Sequence, residues 1–399
     1  MEKTLCELFA GVGGFRLGLE RSSSNWKTVW FSQWEPAKKN QWAHDCYVSH
    51  WGDIDEKTGI DIALVDKKEI PDHNLLVGGF PCQDYSVARP LPGSTGIEGK
   101  KGVLWWQIRD TLKVKNTPFV LLENVDRLLK SPASQRGRDF GVILTCLAEL
   151  GYHAEWRVVN ASDYGAAQRR RRVFIFAYKS TTQHGKNISK LKIQDVFMRK
   201  GFFAKAFPVK AIDSISQVDI NGHDIVTISE KFQYPFKNSG YLKDGQIYTC
   251  KVVPASEHPI PLRDLLEKNV AEKYFINGNF EKWEYLKGAK KVNRTSKTGH
   301  EYVFAEGPIA FPDDINQPAR TMLTSESSLN RSTHVIRDPE NGRLRLITPL
   351  ETERIQGFND NWTDTGMPEK FRYFCMGNAL VVPMITRMGK VLNPIIEKE

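Results

Sequence analysis

The sequence predicts an α/β protein built on a doubly wound, mostly parallel sheet, with a second, smaller domain placed before the chain returns. Three observations predict it. Short apolar strands alternate with helical segments over residues 1–180, the rhythm of a parallel sheet covered on both faces. Glycines cluster where strands stop. The rhythm is lost over residues 185–317 and tightens again from Pro318. The expected division is therefore 1–184, 185–317 and 318–399, the last part completing the second domain and returning to the first.

Thr4 to Phe9 reads as the first strand, closed by Gly11, Gly13 and Gly14. Helical periodicity follows from Phe15 to Arg21. Thr28 to Ser32 is the second strand, and Leu75 to Val77 is an apolar run closed by Gly78-Gly79. Trp105 to Lys115 reads as a helix. Phe119 to Leu122 is a buried strand that stops at Glu123-Asn124. Phe140 to Leu150 is helical, with Gly151 placed to end it. Trp156 to Val159 and Val173 to Ala177 are further strands. In the middle region, Phe197 to Phe207 and Lys282 to Tyr302 interleave cations with aromatics. Such stretches suit a phosphate backbone and exposed bases, and equally a solvated loop surface. The chain ends in an apolar helical segment, Val382 to Leu392, expected to pack onto the first domain.

The 399 residues are 40% hydrophobic, 11% aromatic and 26% charged, which excludes disordered, collagen-like and disulfide-stapled chains. Lys and Arg number 56 against 47 Asp and Glu, leaving +9. A basic globular chain is often a nucleic-acid binder. The six cysteines form no C-x-x-C pair, which excludes a zinc ribbon and a dithiol motif. Their scatter suits a reducing compartment. His44, Asp45, Cys46 and His50 lie close together, but without a partner cluster they predict no metal site. No run reaches ~18 apolar residues, so no transmembrane helix is expected. The strand pattern beginning at Thr4 leaves no room for a signal peptide, so the cytoplasm is the expected location.

Four stretches can carry chemistry. Phe9-Ala10-Gly11-Val12-Gly13-Gly14 stands at a strand-to-helix turn, where glycines admit a ligand close to the backbone. It lacks the Gly-Lys-Ser/Thr ending that holds a triphosphate. Glu35, after the second strand, stands where ribose hydroxyls are bound in dinucleotide folds. Asp53 can accept from an exocyclic amine; either acid alone is as well read as solvent-exposed. Gly79-Phe80-Pro81-Cys82-Gln83 holds a cysteine beside a stiff proline at a strand end, a place for a nucleophilic thiolate. Glu123, at the end of a parallel strand, faces the ligand crevice; a cap for the following helix is its plainer reading. Gln168-Arg169-Arg170-Arg171-Arg172 leads into a strand, with Arg170 and Arg172 on one face. Their guanidinium forks suit carbonyl or phosphate oxygens.

In this order, the stretches resemble the DNA (cytosine-5)-methyltransferase family, in its prokaryotic type II modification form. Phe9, Gly11 and Gly13 resemble its S-adenosylmethionine loop, and Gly79 to Gln83 its nucleophile loop. Glu123-Asn124-Val125 and Gln168-x-Arg170-x-Arg172 match two further motifs. Arg320-Thr321 resembles the motif that organises its recognition domain. Gly377-Asn378-Ala379 resembles its last cofactor-side motif, where serine is commoner than Ala379. Gly52-Asp53-Ile54 matches the acid beside the cofactor adenine, and Gly102 to Leu104 the loop beside its methionine part. The family's ribose acid precedes an apolar residue and a second acid. Gln33-Trp34-Glu35 offers one carboxylate there, so Glu35 takes the role.

The resemblance implies a methyltransferase fold of Rossmann-like type with a target-recognition domain in the middle region. It implies Cys82, Glu123, Arg170 and Arg172 as catalytic residues. Phe9, Gly11, Gly13, Gly14, Trp34, Glu35, Asp53, Ile54, Phe80, Leu104, Asn378 and Ala379 would bind S-adenosylmethionine. Pro81, Gln83, Gln168, Arg320 and Thr321 would meet the substrate, a flipped-out cytosine in double-stranded DNA. No metal is implied. The expected setting is a monomer, with a cognate restriction endonuclease in the same system. A tRNA cytosine methyltransferase built on the same motifs is the close alternative, and the long basic middle region favours duplex DNA. Amino-group methylation is disfavoured, because no Asn/Asp-Pro-Pro-aromatic tetrapeptide occurs. A catalytically dead DNA-binding module has no need of Cys82, Glu123 and Gln168 to Arg172 together.

Overall fold

A computed structural model describes residues 2–36, 38–80, 103–295 and 299–399. Four parallel strands form one half of its central sheet: β1 (Thr4–Leu8), β2 (Lys27–Ser32), β3 (Leu75–Gly79) and β4 (Phe119–Val125), in the order β2-β1-β3-β4. The sheet continues antiparallel through β6 (Arg171–Lys179) and β5 (Tyr152–Asn160). Among the described residues it has nine strands.

Alternation along the strands builds two cores, because successive side chains leave opposite faces. Leu5, Leu75, Val77, Phe119, Leu121, Phe174 and Phe176 face one core. Helices α1 (Gly14–Ser22) and α2 (Trp42–Trp51) and the C-terminal helix Val382–Glu397 cover it. Cys6, Leu76, Val120, Leu122, Val173 and Ile175 face the other core. There α3 (Val103–Lys115) and α4 (Arg138–Glu149) supply Ile108, Leu112, Phe140, Ile143 and Leu147. Both faces are covered, as the strand–helix rhythm predicts. No single described helix is long and apolar enough to cross a membrane.

The C-terminal helix returns to the first part of the chain, as its apolar pattern predicts. Asn393 accepts from the Trp26 indole at 2.9 Å. Gly18 lets the backbones close up: a Cβ there would stand 2.5 Å from Cβ of Ile385.

Two features of the middle region differ from expectation. The strands Ser239–Lys243, Gln246–Cys250 and Ser216–Asp219 extend the central sheet beyond β5. Part of the stretch 185–317 is thus hydrogen-bonded into the sheet of the first domain. Those strands are only four or five residues long, too short for a period-two pattern to stand out. Phe197, Phe202, Phe203 and Phe207 are buried in the core under the sheet. Their aromatic spacing reflects packing and not a nucleic-acid surface. The described residues of the stretch Lys282 to Tyr302, by contrast, are mostly exposed.

Candidate active site

The C-terminal ends of the parallel strands open into one cavity of about 750 Å³. Its first wall is the turn from β1 to α1. Phe9 and Gly11 both have a φ of 56°, a left-handed conformation that favours glycine at the second position. The Gly11 N–H donates to Oε1 of Gln33 at 2.7 Å, and the Ala10 N–H to the Ser32 carbonyl at 2.9 Å. These bonds tie the turn to the end of β2. The Trp362 indole donates to the Val12 carbonyl at 2.9 Å and holds the turn from outside. Gly14 lines the cavity, but Gly13 does not. A Cβ on Gly13 would lie 2.2 Å from the Trp51 ring, so its smallness serves the packing of α2.

Glu35 reaches the cavity from the segment after β2. Its Oε2 accepts from the Ala43 N–H at 3.4 Å, near the start of α2. Burial raises its pKa, and that N–H draws it partly back. Gln33 lines the cavity and Trp34 does not; the Trp34 side chain is 39% exposed. Strand parity carried three residues past Ser32 sends Gln33 and Glu35 one way and Trp34 the other. That signal was present in the sequence and pointed to Gln33. Asp53, Ile54 and Leu104 also stand outside the cavity wall. Asp53 accepts from the Thr58 hydroxyl at 2.8 Å and from the Ile54 N–H at 2.8 Å.

Phe80 and Glu123 form the opposite wall. Phe80 is buried, and its carbonyl accepts from the Asn124 amide at 2.7 Å. Gly79 pairs in register with Glu123 across β3 and β4. Glu123 Oε1 meets Nε of Arg172 at 2.8 Å. Both side chains are mostly buried, so this ion pair is shielded from solvent. Pro81, Cys82 and Gln83 lie outside the described residues.

The arginine run divides its labour. Arg170 is buried, and its guanidinium donates to the carbonyls of Met322 at 3.2 Å and Gly377 at 3.0 Å. Burial, reinforced by the neighbouring Arg172 charge, draws its pKa down to about 9. It lines the cavity while holding the segment that carries Asn378 and Ala379, which also line it. Arg171 is exposed beside Asp126.

Gln168, Arg320 and Thr321 come together, but behind the cavity wall. The Arg169 N–H donates to the Ala319 carbonyl at 2.8 Å, and the Ala319 N–H to the Ala167 carbonyl at 2.8 Å. Gln168 is buried and accepts from the Met322 N–H at 3.2 Å. Thr321 donates to the Arg169 carbonyl at 2.5 Å. Arg320 pairs with Asp313. These residues join the segment from Pro318 onward to the start of β6.

The His44 to His50 segment has ordinary partners. His44 meets the Thr58 hydroxyl at 2.9 Å. His50 meets the Trp362 carbonyl at 2.8 Å and stacks on its ring at 3.5 Å.

The comparisons agree with one another. The model of the family described as C-5 cytosine-specific DNA methylase matches residues 4–393. The type II methyltransferase M.Sau3AI of Staphylococcus aureus is 51% identical over 399 residues, covering 98% of this chain and 95% of that protein. The type II methyltransferase M.NlaIV of Neisseria lactamica is 27% identical over 437 residues, covering 97% of each. Among solved structures, the Entamoeba histolytica methyltransferase EhMeth has a TM-score of 0.59 at 18% identity, covering 99% of this chain and 98% of that one. The S. pombe Dnmt2 methyltransferase has a TM-score of 0.60 at 16% identity, covering 98% of each. The two structural likenesses show a shared methyltransferase fold.

Proposed function

The chain belongs to the C-5 cytosine-specific DNA methylase family and is a type II DNA cytosine-5 methyltransferase; we propose that it acts through a covalent Cys82 adduct on a cytosine flipped out of double-stranded DNA, with S-adenosylmethionine as methyl donor. The observation that carries the reading is the shielded Glu123–Arg172 pair facing the glycine turn across one cavity.

The cavity fits that donor. A Cβ on Gly11 would enter open space, so the glycine leaves the wall clear for a ligand beside the backbone. Glu35 offers a carboxylate to ribose hydroxyls, and Phe9, Asn378 and Ala379 close the wall around it. When bound, S-adenosylmethionine supplies an electrophilic methyl group to C5.

Cytosine C5 is a poor nucleophile until C6 is attacked. The Cys82 thiolate adds to C6 and leaves an enamine whose electron density sits at C5. Glu123 holds N3 and the exocyclic amine of the base, stabilising charge that develops on the ring. Arg172 orients Glu123 and keeps its carboxyl aimed at the base. Arg170 acts as a positioning residue through the carbonyls it clamps. After methyl transfer, loss of the C5 proton and elimination of Cys82 restore aromaticity. None of these ring atoms is reachable in a stacked duplex, which requires an extruded base.

We assign the enzyme a monomeric, cytoplasmic role beside a restriction endonuclease of the same system. Bisulfite sequencing of DNA from cells expressing the chain tests the function. Protected cytosines at one recurring word are expected. Methylation confined to adenine or to the exocyclic amine of cytosine would refute it.

A further inference from the structure

Among the described residues, the strands Lys290–Thr295 and Glu301–Glu306 pair only with each other and form a ribbon outside the central sheet. Their register puts Lys291, Asn293 and Thr295 on one face, with Glu301, Val303 and Ala305 across from them. The other face makes contacts of its own, although Val292 and Tyr302 on it are 42% and 43% exposed. Arg294 lies over Phe304 at 3.8 Å, Lys290 over Tyr285 at 4.5 Å, and Glu306 faces Arg331 at 3.8 Å. The side chains of Lys291, Asn293 and Thr295 are exposed and make no hydrogen bond or ion pair among the described residues. Val303, directly opposite Asn293, is 51% exposed. A bare face that combines a cation, an amide, a hydroxyl and an aliphatic group suits an anionic partner with readable polar edges.

A chain of bonds ties the ribbon to the active site. Arg331 donates to the carbonyls of Leu286 and Gly288 at 3.0 Å each and to that of Gly307, closing the ribbon's root. Arg320 donates to the Ser332 carbonyl at 3.1 Å, next to Arg331. Thr321 then bonds the Arg169 carbonyl, one residue from Arg170 in the cavity wall.

We propose that the ribbon face bearing Lys291, Asn293, Thr295 and Val303 enters the major groove and determines which DNA word is methylated. The proposal rests on the reading of the chain as a DNA methyltransferase. The major groove of B-DNA admits a two-stranded ribbon. The Asn293 amide offers one donor and one acceptor to a base edge, Val303 offers apolar contact beside it, and Lys291 holds phosphate.

Bisulfite sequencing with full-length wild type first defines the word. Binding to duplexes carrying that word, and to single-position mismatches, is then measured for Asn293→Ala, Val303→Ser and Lys291→Ala. Asn293→Ala is expected to lose roughly 10-fold or more of the preference at one position and to methylate words that wild type ignores. Lys291→Ala should weaken all duplexes alike and lower the slope of log affinity against log salt by about one. S-adenosylmethionine affinity and Tm serve as folding controls and should match wild type. If Asn293→Ala and Val303→Ser, singly and together, keep the wild-type word and mismatch ratios, the proposal is overturned. If wild type itself methylates no cytosine at C5, the underlying reading fails first and takes this one with it.

Discussion

Glu123 and Glu7 are both carboxyls at the active edge of the sheet, and their partners give them different work. Glu123 faces the cavity and is held by Arg172 at 2.8 Å. Glu123→Gln keeps the shape and loses the charge, so the chemical step should fall by about 10³-fold or more in single-turnover methylation, while S-adenosylmethionine affinity changes little. A loss confined to that affinity would contradict the role. Glu7 is buried in β1 and accepts from the Tyr47 hydroxyl at 3.1 Å; its Oε1 has no protein partner among the described residues. Burial pushes its pKa from 4.5 up to about 8, with Arg16 pulling the other way. Across that window the native state keeps a proton that the unfolded chain has released. Its contribution is therefore complete below the unfolded pKa and is lost as pH rises through the folded one. Denaturant titrations at about pH 5.5 and about pH 8.5 should show wild type losing stability between them. Glu7→Gln should shrink that loss, on the order of 1 kcal/mol. Glu155, raised by burial to about 7, retains part of the slope. Which carboxyl faced the cavity was legible for Glu123, because it ends a buried parallel strand. Arg170 was legible as important but not in kind, since its partners, Met322 and Gly377, lie more than 150 residues away in sequence.

At the level of elements, the pattern of apolar residues anticipated β1 to β6 and α1, α3 and α4 to within a few residues, while α2 was not read. Periodicity is a local signal, and these elements carry it strongly. What was not legible is pairing. Nothing local says that β6 enters between β4 and β5, or that three short strands from residues 216–250 extend the sheet. Long-range register depends on which surfaces meet, and the aromatic run from Phe197 shows the same limit. Its spacing fits stacked bases or a packed core, and the core won. Close approach between elements is also invisible in sequence until a glycine is given a neighbour. Gly18 on α1 faces Ile385 on the C-terminal helix, where a Cβ would lie 2.5 Å from Cβ of Ile385 and 3.1 Å from the Val382 carbonyl. Neither neighbour is a flexible chain end. Gly18→Ala should therefore destabilise by about 1–3 kcal/mol, read as a lower denaturant midpoint at unchanged m. An unchanged or raised midpoint would show that the two helices separate easily.

For the whole molecule, the joint between residues 167–172 and 318–322 ties the segment from Pro318 onward to the strand start that carries Arg170 and Arg172 in the cavity wall. Paired backbone bonds at Ala167, Arg169 and Ala319 make the joint, and the Arg320–Asp313 pair stiffens it from behind. Order of motifs in the sequence could place both sides of this joint in one enzyme. Only the fold shows that Gln168 bonds Met322 and Thr321 bonds Arg169, behind the wall. Everything in the account converges on one thiolate adding to one ring carbon. Full-length enzyme, S-adenosylmethionine and a duplex carrying 5-fluorocytosine in the methylated word should give a complex that survives denaturation, because fluorine at C5 blocks the elimination that frees the cysteine. Peptide mapping should place the adduct on Cys82, and Cys82→Ala should form none. A folded, donor-bound enzyme that methylates ordinary cytosine at C5 yet yields no adduct, or an adduct on another residue, would contradict the account.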